Sequence, residues 1–326
     1  MFSDKKQVLF AAATVVSICA GCLLLSEITM RLLLADRLED SRDERSLAYR
    51  HDARLGWFPR EGSSSEFTGS RTVSVRHNSH GFRDEEFLPK TRPRIAFLGD
   101  SFVWGYDVQE EERFTEKLQV MIPDWEVLNL GVSGFGTDQE FLLLQSWYDM
   151  LRPDIVFLVY TAGSDDLDNV KVYNYGGYFK PYYYVRGDTL ELRGVPAPKG
   201  AYYHYVEHPM LFRSYFARSI ALGLDRARRW GEPMPTRNPT VYILEEMKEF
   251  LQARDTQLAI GFHGYTDVPF GDKEREFCDQ LGIPCLDLSN QMVYPDKSNH
   301  WTPKGHDLVA GRIYRFLNQQ QPRQQD

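Results

Sequence analysis

The sequence predicts an α/β protein: a central parallel sheet with helices on both faces, one N-terminal transmembrane helix and an aromatic-rich insertion. Three observations carry this. From Arg94 onward, short apolar runs alternate with longer amphipathic stretches, the pattern of βαβ units. Val8 to Leu25 is an unbroken run of apolar and small residues, with Thr14 and Ser17 its hydroxyls. Between Val170 and Tyr205, aromatic residues crowd together with Gly and Pro between them.

The apolar run comes first. Its 18 residues, at 1.5 Å rise each, nearly cross a hydrocarbon core of about 30 Å. Ile28 to Leu34 extends the span to residues 8–34 when Glu27 and Arg31 lie at the interface. Lys5 and Lys6 precede the run, whereas Arg37, Arg42 and Arg45 follow it, so basic flanks alone do not fix orientation. The short lysine-bearing start resembles the n-region of an export signal. We therefore expect residues 1–7 in the cytoplasm and the body outside, on a bacterial inner membrane. A cleaved signal would need a small-x-small site, and none stands out after Leu25. A lipoprotein signal ending at Cys22 has Cys19 where an aliphatic residue is usual.

Residues 35–93 read as a stalk and N-terminal extension: Asp36 to Tyr49 charged and helical, Gly62 to Ser65 a loop, Thr72 to Val75 an edge strand. The main domain spans 94–319. Strands are expected at Ile95–Leu98, Trp125–Leu130, Ile155–Tyr160, Gln257–Phe262 and Pro284–Leu288. Helices are expected at Glu112–Met121, Asp138–Met150, Val241–Arg254 and Gly305–Gln319. In the third of these, Ile243, Met247, Phe250 and Leu251 share one face. The insertion, 170–239, holds a hairpin with its tip at Gly187-Asp188, then a helix from Met210 to Trp230. Most of its rings should form its own small core, with Tyr178 and Tyr182 as candidates for a substrate-facing wall. Residues 320–326 read as a disordered tail.

Charge and cysteines narrow the chemistry. A net charge of −8 without a basic stripe argues against nucleic acid. Cys278 and Cys285 either pair in an oxidising compartment or serve as two small buried hydrophobes. No Cys/His spacing suggests a metal.

Four blocks carry chemistry. Gly99-Asp100-Ser101 ends the first expected strand, and a polar side chain at a strand's carboxyl end sits where α/β folds bind ligands. Asn129 to Thr137 is a glycine-rich turn whose backbone N–H groups suit an oxyanion hole. Thr161-Ala-Gly-Ser-Asp165 again follows a strand. Asp296-Lys-Ser-Asn-His300 precedes the last helix and offers a base for the serine. Asp165, Asp168 and Asn169 are residues that commonly hold their own turns, and His306 reads as structural.

In this order the four blocks resemble the SGNH (GDSL-type) hydrolase superfamily, and its membrane-anchored bacterial branch in particular. That branch shares the motif Asn78-Ser79-His80-Gly81-Phe82-Arg83-Asp84 before the first strand. The resemblance covers roughly Leu55 to Leu317 and implies a three-layer α/β/α, flavodoxin-like fold. It implies Ser101 as nucleophile, His300 as general base, and an Asp before the histidine as its orienter. It implies an oxyanion hole from Ser101, Gly134 and the residue at 164. Asp100 and Asp165 join Tyr178 and Tyr182 as substrate-binding candidates.

Two positions depart from the pattern. Ser164 stands where the family has an Asn whose amide donates to the oxyanion, and a missing donor costs about 10²–10³ in turnover. Position 297, three before His300, is Lys; the nearest carboxylate is Asp296. The resemblance implies no cofactor, an acyl-ester or polysaccharide substrate, and envelope polysaccharide machinery as partner. Two functions follow: a serine esterase or O-acyltransferase on O-acetyl esters of a polysaccharide, or a degenerate scaffold that binds glycan or protein. A phosphodiesterase is disfavoured, since neither paired metal ligands nor a phosphate-cradling loop is present.

Overall fold

The structure, a computed structural model, describes residues 2–38, 48–174, 177–232, 235–264, 272–295 and 298–320. Part of the expected 36–49 helix (residues 39–47) and the tail from 321 lie outside them, as does Asp296.

The central sheet has five parallel strands: β1 (Arg94–Leu98), β2 (Glu126–Asn129), β3 (Ile155–Ala162), β4 (Gln257–Gly264) and β5 (Cys285–Asp287). Their order is β5-β4-β3-β1-β2. Chain direction across the sheet reverses between β1 and β3, and such a switch point opens a crevice at the carboxyl ends. Ser101 follows β1 directly. The expected parallel, flavodoxin-like sheet is what the structure shows.

Both faces of the sheet are covered, so its inner strands carry continuous apolar runs, Ile95–Leu98 and Ile155–Val159, rather than alternating ones. Ile95 and Phe97 face one side with Phe157, Val159 and Ala259; Ala96 and Leu98 face the other with Val156, Leu158 and Ile260. Each large aliphatic or aromatic chain so enclosed contributes about 1.5–3 kcal/mol. The first face is closed by α3 (Phe114–Met121) and α10 (Pro303–Gln320), through Phe114, Leu118, Val309, Ile313 and Phe316. The second is closed by α4 (Thr137–Leu151), α8 (Thr240–Gln252) and α9 (Asp272–Leu281). In α8 the residues Ile243, Met247 and Leu251 are buried, as their spacing predicted, and Phe250 is partly buried against them.

Arg94 ties the amino-terminal ends together. Its guanidinium donates to Glu126 Oε2 at 2.6 Å and to the Leu151 carbonyl at 2.8 Å, while its N–H donates to Asp154.

Before β1, the extension forms two antiparallel hairpins, Tyr49–Asp52 with Gly56–Pro59 and Ser64–Thr68 with Thr72–Arg76; the strand expected at Thr72–Val75 is present, whereas Ser64 and Ser65, expected in a loop, pair with it. The first buries Tyr49, Trp57 and Phe58, and so joins the main core rather than hanging off a stalk. The insertion contains the expected hairpin, Tyr182–Arg186 with Thr189–Arg193, turning at Gly187. It also contains an unforeseen helix, α6 (Ala201–Glu207), before α7 (Tyr215–Gly231). Cys278 and Cys285 form a disulfide that links α9 to β5.

The N-terminal helix α1 runs Phe2–Leu38, and Lys5–Ala35 is long and apolar enough to cross a membrane, with none of its most apolar stretch buried against the body.

Candidate active site

The short helix α2 (Ser101–Trp104) begins at the end of β1. Asp100 is its N-cap: Oδ1 accepts from the Phe102 N–H at 2.9 Å. That cap starts a helix at once and turns Ser101 off the strand axis. Ser101 Oγ lies 2.7 Å from His300 Nε2, with both residues 8% exposed. This is nucleophile-to-base hydrogen-bond distance. Two of the residues predicted to act together are together, although 199 positions separate them.

The other two blocks close on the same point. The glycine-rich turn is stitched to the nucleophile turn by Leu130 N–H to the Phe97 carbonyl, and by Val132 N–H to the Gly99 carbonyl at 3.1 Å. Asn129 Nδ2 donates to the Val103 carbonyl at 2.7 Å. A Cβ on Gly131 would run into the Trp104 backbone nitrogen, so this approach needs glycine. Gly134 is buried at φ 80°, again a glycine conformation. From the third block, Thr161 Oγ1 donates to Asp100 Oδ2 at 3.1 Å. Ser164 is half-buried at the start of α5 (Asp165–Asp168), and its N–H donates to the Thr161 carbonyl.

The ring of His300 is held between two aromatic rings. Tyr106 stacks on it at 4.2 Å between centroids and 21° between planes; Phe102 lies 4.6 Å away. The loop that carries it is pinned too: the His300 carbonyl accepts from Tyr294 N–H at 2.9 Å, and Ser298 Oγ bonds Ser70 Oγ at 2.8 Å.

Beneath the dyad lies His263, at the carboxyl end of β4. Its Nε2 is 2.9 Å from Thr161 Oγ1 and its ring packs on Phe102 at 3.9 Å. The Thr161 proton goes to Asp100, so Nε2 must carry its own. Burial holds this imidazole far down, at about 3, and keeps it neutral. It is too deep to meet substrate. Burial likewise pushes the Asp100 carboxyl up to about 6, against the hydrogen bonds it accepts from Phe102 and Thr161.

The substrate-binding candidates fare differently from the dyad. Asp100 is a cap, 4% exposed. Asp165 is 1% exposed and accepts from the Thr161 N–H, so it holds its loop rather than facing a ligand. Asn169, expected to hold its own turn, instead ties the loop to α4 and α8, accepting from the Asp138 N–H and donating to Thr240 Oγ1. Tyr178 and Tyr182, expected on a cleft wall, are buried instead. Tyr178 packs among Trp57, Tyr202 and Tyr203, and Tyr182 donates its hydroxyl to Glu232. Aromatic residues this large are enclosed because the insertion has little else from which to build a core. His306 is structural as expected: buried, accepting from the Phe114 N–H at 3.2 Å.

The Asn78–Asp84 motif supports the nucleophile turn. Arg83, fully buried, donates to the carbonyls of Trp104, Gly105, Ser74 and Val108 and lies over the Trp104 ring. Arg113 in turn donates to the Arg83 carbonyl. Asp84 Oδ2 accepts from the Asn129 N–H at 2.8 Å. One motif thus clamps the first two blocks. Nothing in its composition announced that role; the pairing of Arg and Asp around a Gly-Phe turn was the available signal.

A cavity of about 640 Å³ opens far from Ser101, at the amino-terminal ends of the strands, lined by Trp125, Ile155, Lys248, Leu258 and Phe316. Its lining includes neither Ser101 nor His300, which meet at the other end of the sheet.

No protein-family model and no curated protein matches the chain. Its structure is similar to that of a member of the lipolytic protein G-D-S-L family from Veillonella parvula, at 14% identity and a TM-score of 0.40, over 69% of this chain and 98% of that one. It is similar to the psychrotrophic esterase EstA from Pseudoalteromonas, at 13% identity and a TM-score of 0.40, over 69% and 97%. It is also similar to a two-domain esterase active on acetylated mannans, at 11% identity and a TM-score of 0.42, over 72% of this chain and 51% of that one.

Proposed function

We propose that this chain is a serine esterase or O-acyltransferase of the SGNH type, tethered to a bacterial inner membrane and acting outside the cytoplasm. The observation that carries it is the 2.7 Å approach of Ser101 Oγ to His300 Nε2 at the carboxyl edge of the sheet. His300 takes the Ser101 proton as Oγ attacks an ester carbonyl, then returns it to the leaving alcohol, leaving an acyl-enzyme. Water or a sugar hydroxyl then accepts the acyl group. The backbone N–H groups of Ser101 and Gly134, with the Ser164 hydroxyl, would receive the oxyanion. Asp296, outside the described residues, is the carboxylate assigned to orient the imidazole.

The proposed organisation puts residues 1–7 in the cytoplasm, 8–34 across the membrane, 35–93 as the extension and 94–319 as the hydrolase domain. The Cys278–Cys285 disulfide supports an oxidising compartment for that domain. The substrate class we assign is O-acetyl esters on a surface or exported polysaccharide, with the polysaccharide machinery of the envelope as partner. The test is acetate release from an O-acetylated polysaccharide by the full chain in proteoliposomes, beside Ser101→Ala, with and without an unacetylated acceptor. Ser101-dependent release to water marks an esterase, and Ser101-dependent transfer to the acceptor marks an acyltransferase.

Ser164 favours a second reading, a scaffold that has lost its third oxyanion donor and binds glycan or protein. Under it, polysaccharide is retained equally by wild type and Ser101→Ala, and neither releases acetate.

A further inference from the structure

We infer that α7 lies flat in the surface of the membrane that α1 crosses, making a second lipid contact for the body. This rests on the proposal that α1 is a retained anchor.

The sequence of α7 divides by face. At 100° per residue, Phe216, Ile220, Gly223, Leu224, Ala227 and Trp230 fall within a single apolar sector. That sector is not turned toward the protein: Ile220 is 49% exposed, Leu224 58% and Trp230 82%. Met210 and Leu211, just ahead of the helix, are 74% and 60% exposed. The helix docks on the body by its other side. There Ala217, Ala221 and Leu222 pack on the Tyr205–Phe212 cluster, buried Asp225 accepts from the Ala201 N–H at 2.6 Å, and Arg229 lies over the Tyr173 ring. Exposed Arg226 and Arg228 border the apolar sector on either side. An apolar face with Trp and Leu, bordered by arginines, is how a helix seats in the headgroup layer of an anionic bilayer.

The place of α7 identifies the occupant. Glu27 of α1 accepts from Ser214 Oγ at 2.7 Å, from the Phe216 N–H at 3.0 Å and from the Tyr215 N–H at 3.1 Å, closing the amino end of α7. Arg31 donates to the Arg213 carbonyl at 2.8 Å and covers the Tyr215 ring, and Arg218 donates to the Leu38 carbonyl. Glu27 and Arg31 are the charged residues that follow the apolar run. The apolar run of 18 residues nearly crosses the hydrocarbon core, so Glu27 and Arg31, within the 8–34 span, lie where that span meets the bilayer surface. So the junction fixes α7 at that level, continuous with the lipid contact of α1. The insertion bearing α7 leaves the sheet beside the Thr161 block, so seating α7 also sets the distance from Ser101 to the membrane.

The test uses the full chain in phosphatidylethanolamine–phosphatidylglycerol proteoliposomes containing brominated phospholipids. The quantity read is the emission of wild type minus that of Trp230→Phe, which isolates one exposed ring whose replacement disturbs no core. We expect that difference to lose at least about half its intensity, more with bromines near the headgroup than near the chain end. The double variant Ile220→Asp, Leu224→Asp should abolish the quenching. Alkaline extraction, run alongside, reports α1 separately. Equal quenching of wild type and Trp230→Phe, in protein that stays in the membrane pellet, overturns the α7 contact and leaves the anchor standing. A ring hidden from both bromolipid and aqueous iodide means another protein, such as a second copy, covers the face, and also overturns it. Protein released from the pellet overturns the anchor itself.

Discussion

Tyr106 and His300 stack ring on ring, 4.2 Å apart and 21° from parallel. The imidazole that lies 2.7 Å from Ser101 Oγ is thereby held by a residue five positions beyond Ser101, on the same turn. Tyr106→Ala should let the ring tilt away from Ser101. We expect acylation to slow about 10- to 100-fold with folding intact, since small misplacements of a catalytic group cost on that order. Stopped-flow acylation with an activated ester checks this. An unchanged rate would mean the loop alone positions His300.

Arg83 should matter for stability as much as anything in the core. Its guanidinium satisfies carbonyls of the nucleophile turn and the second hairpin from a fully buried position. Arg83→Met removes the donors and leaves those acceptors buried, at about 1–3 kcal/mol for each one left unsatisfied. Chemical denaturation of the full chain in detergent should show a loss of about 3 kcal/mol or more. A loss below about 1 kcal/mol would contradict the clamp.

The buried carboxyls under the site give a pH signature. Glu140 is fully buried, and neither carboxylate oxygen has a hydrogen-bond partner among the described residues. Burial, with Asp100 and Asp138 nearby, holds its pKa well above 4.5. An acid raised in the folded state opposes folding as pH climbs from its unfolded value toward its folded one. Glu140→Gln removes that loss. Above about pH 5 the variant's unfolding free energy should fall less steeply than wild type's, by up to about 1.4 kcal/mol per pH unit. Parallel pH profiles would contradict the assignment.

The disulfide closes a short loop, its cysteines 7 positions apart in the chain. Replacing both with Ser should cost roughly 2–3 kcal/mol on the chain-entropy account. The same loss should appear on adding reductant to wild type and be absent from the double variant. Insensitivity of wild type to reductant would contradict it.

Much of this was legible in the sequence, and the parts that were not share a cause. The strands of the central sheet and the long helices that cover it announce themselves because a sheet covered on both faces needs continuous apolar runs. Ser101 and His300 were legible because each ends a recognisable block. The stacking of Tyr106, the chain from Asp100 through Thr161 to His263, and the clamp of Arg83 depend on which loop lies over which, and no spacing along the chain encodes that. Tyr178 and Tyr182 were misplaced for a related reason: a tyrosine-rich insertion reads the same whether its rings line a cleft or fill a core. The first hairpin escaped notice because Trp57 and Phe58 bury consecutive residues instead of alternating ones.

The proposed function stands on Ser101, activated by His300, as a working nucleophile. Its most direct test is labelling of the full chain with a fluorophosphonate, read by intact mass, beside Ser101→Ala and His300→Ala. We expect one adduct per wild-type chain, none on Ser101→Ala, and labelling slowed about 10²-fold or more in His300→Ala. No adduct on folded wild type, or an adduct that persists in Ser101→Ala, would contradict it.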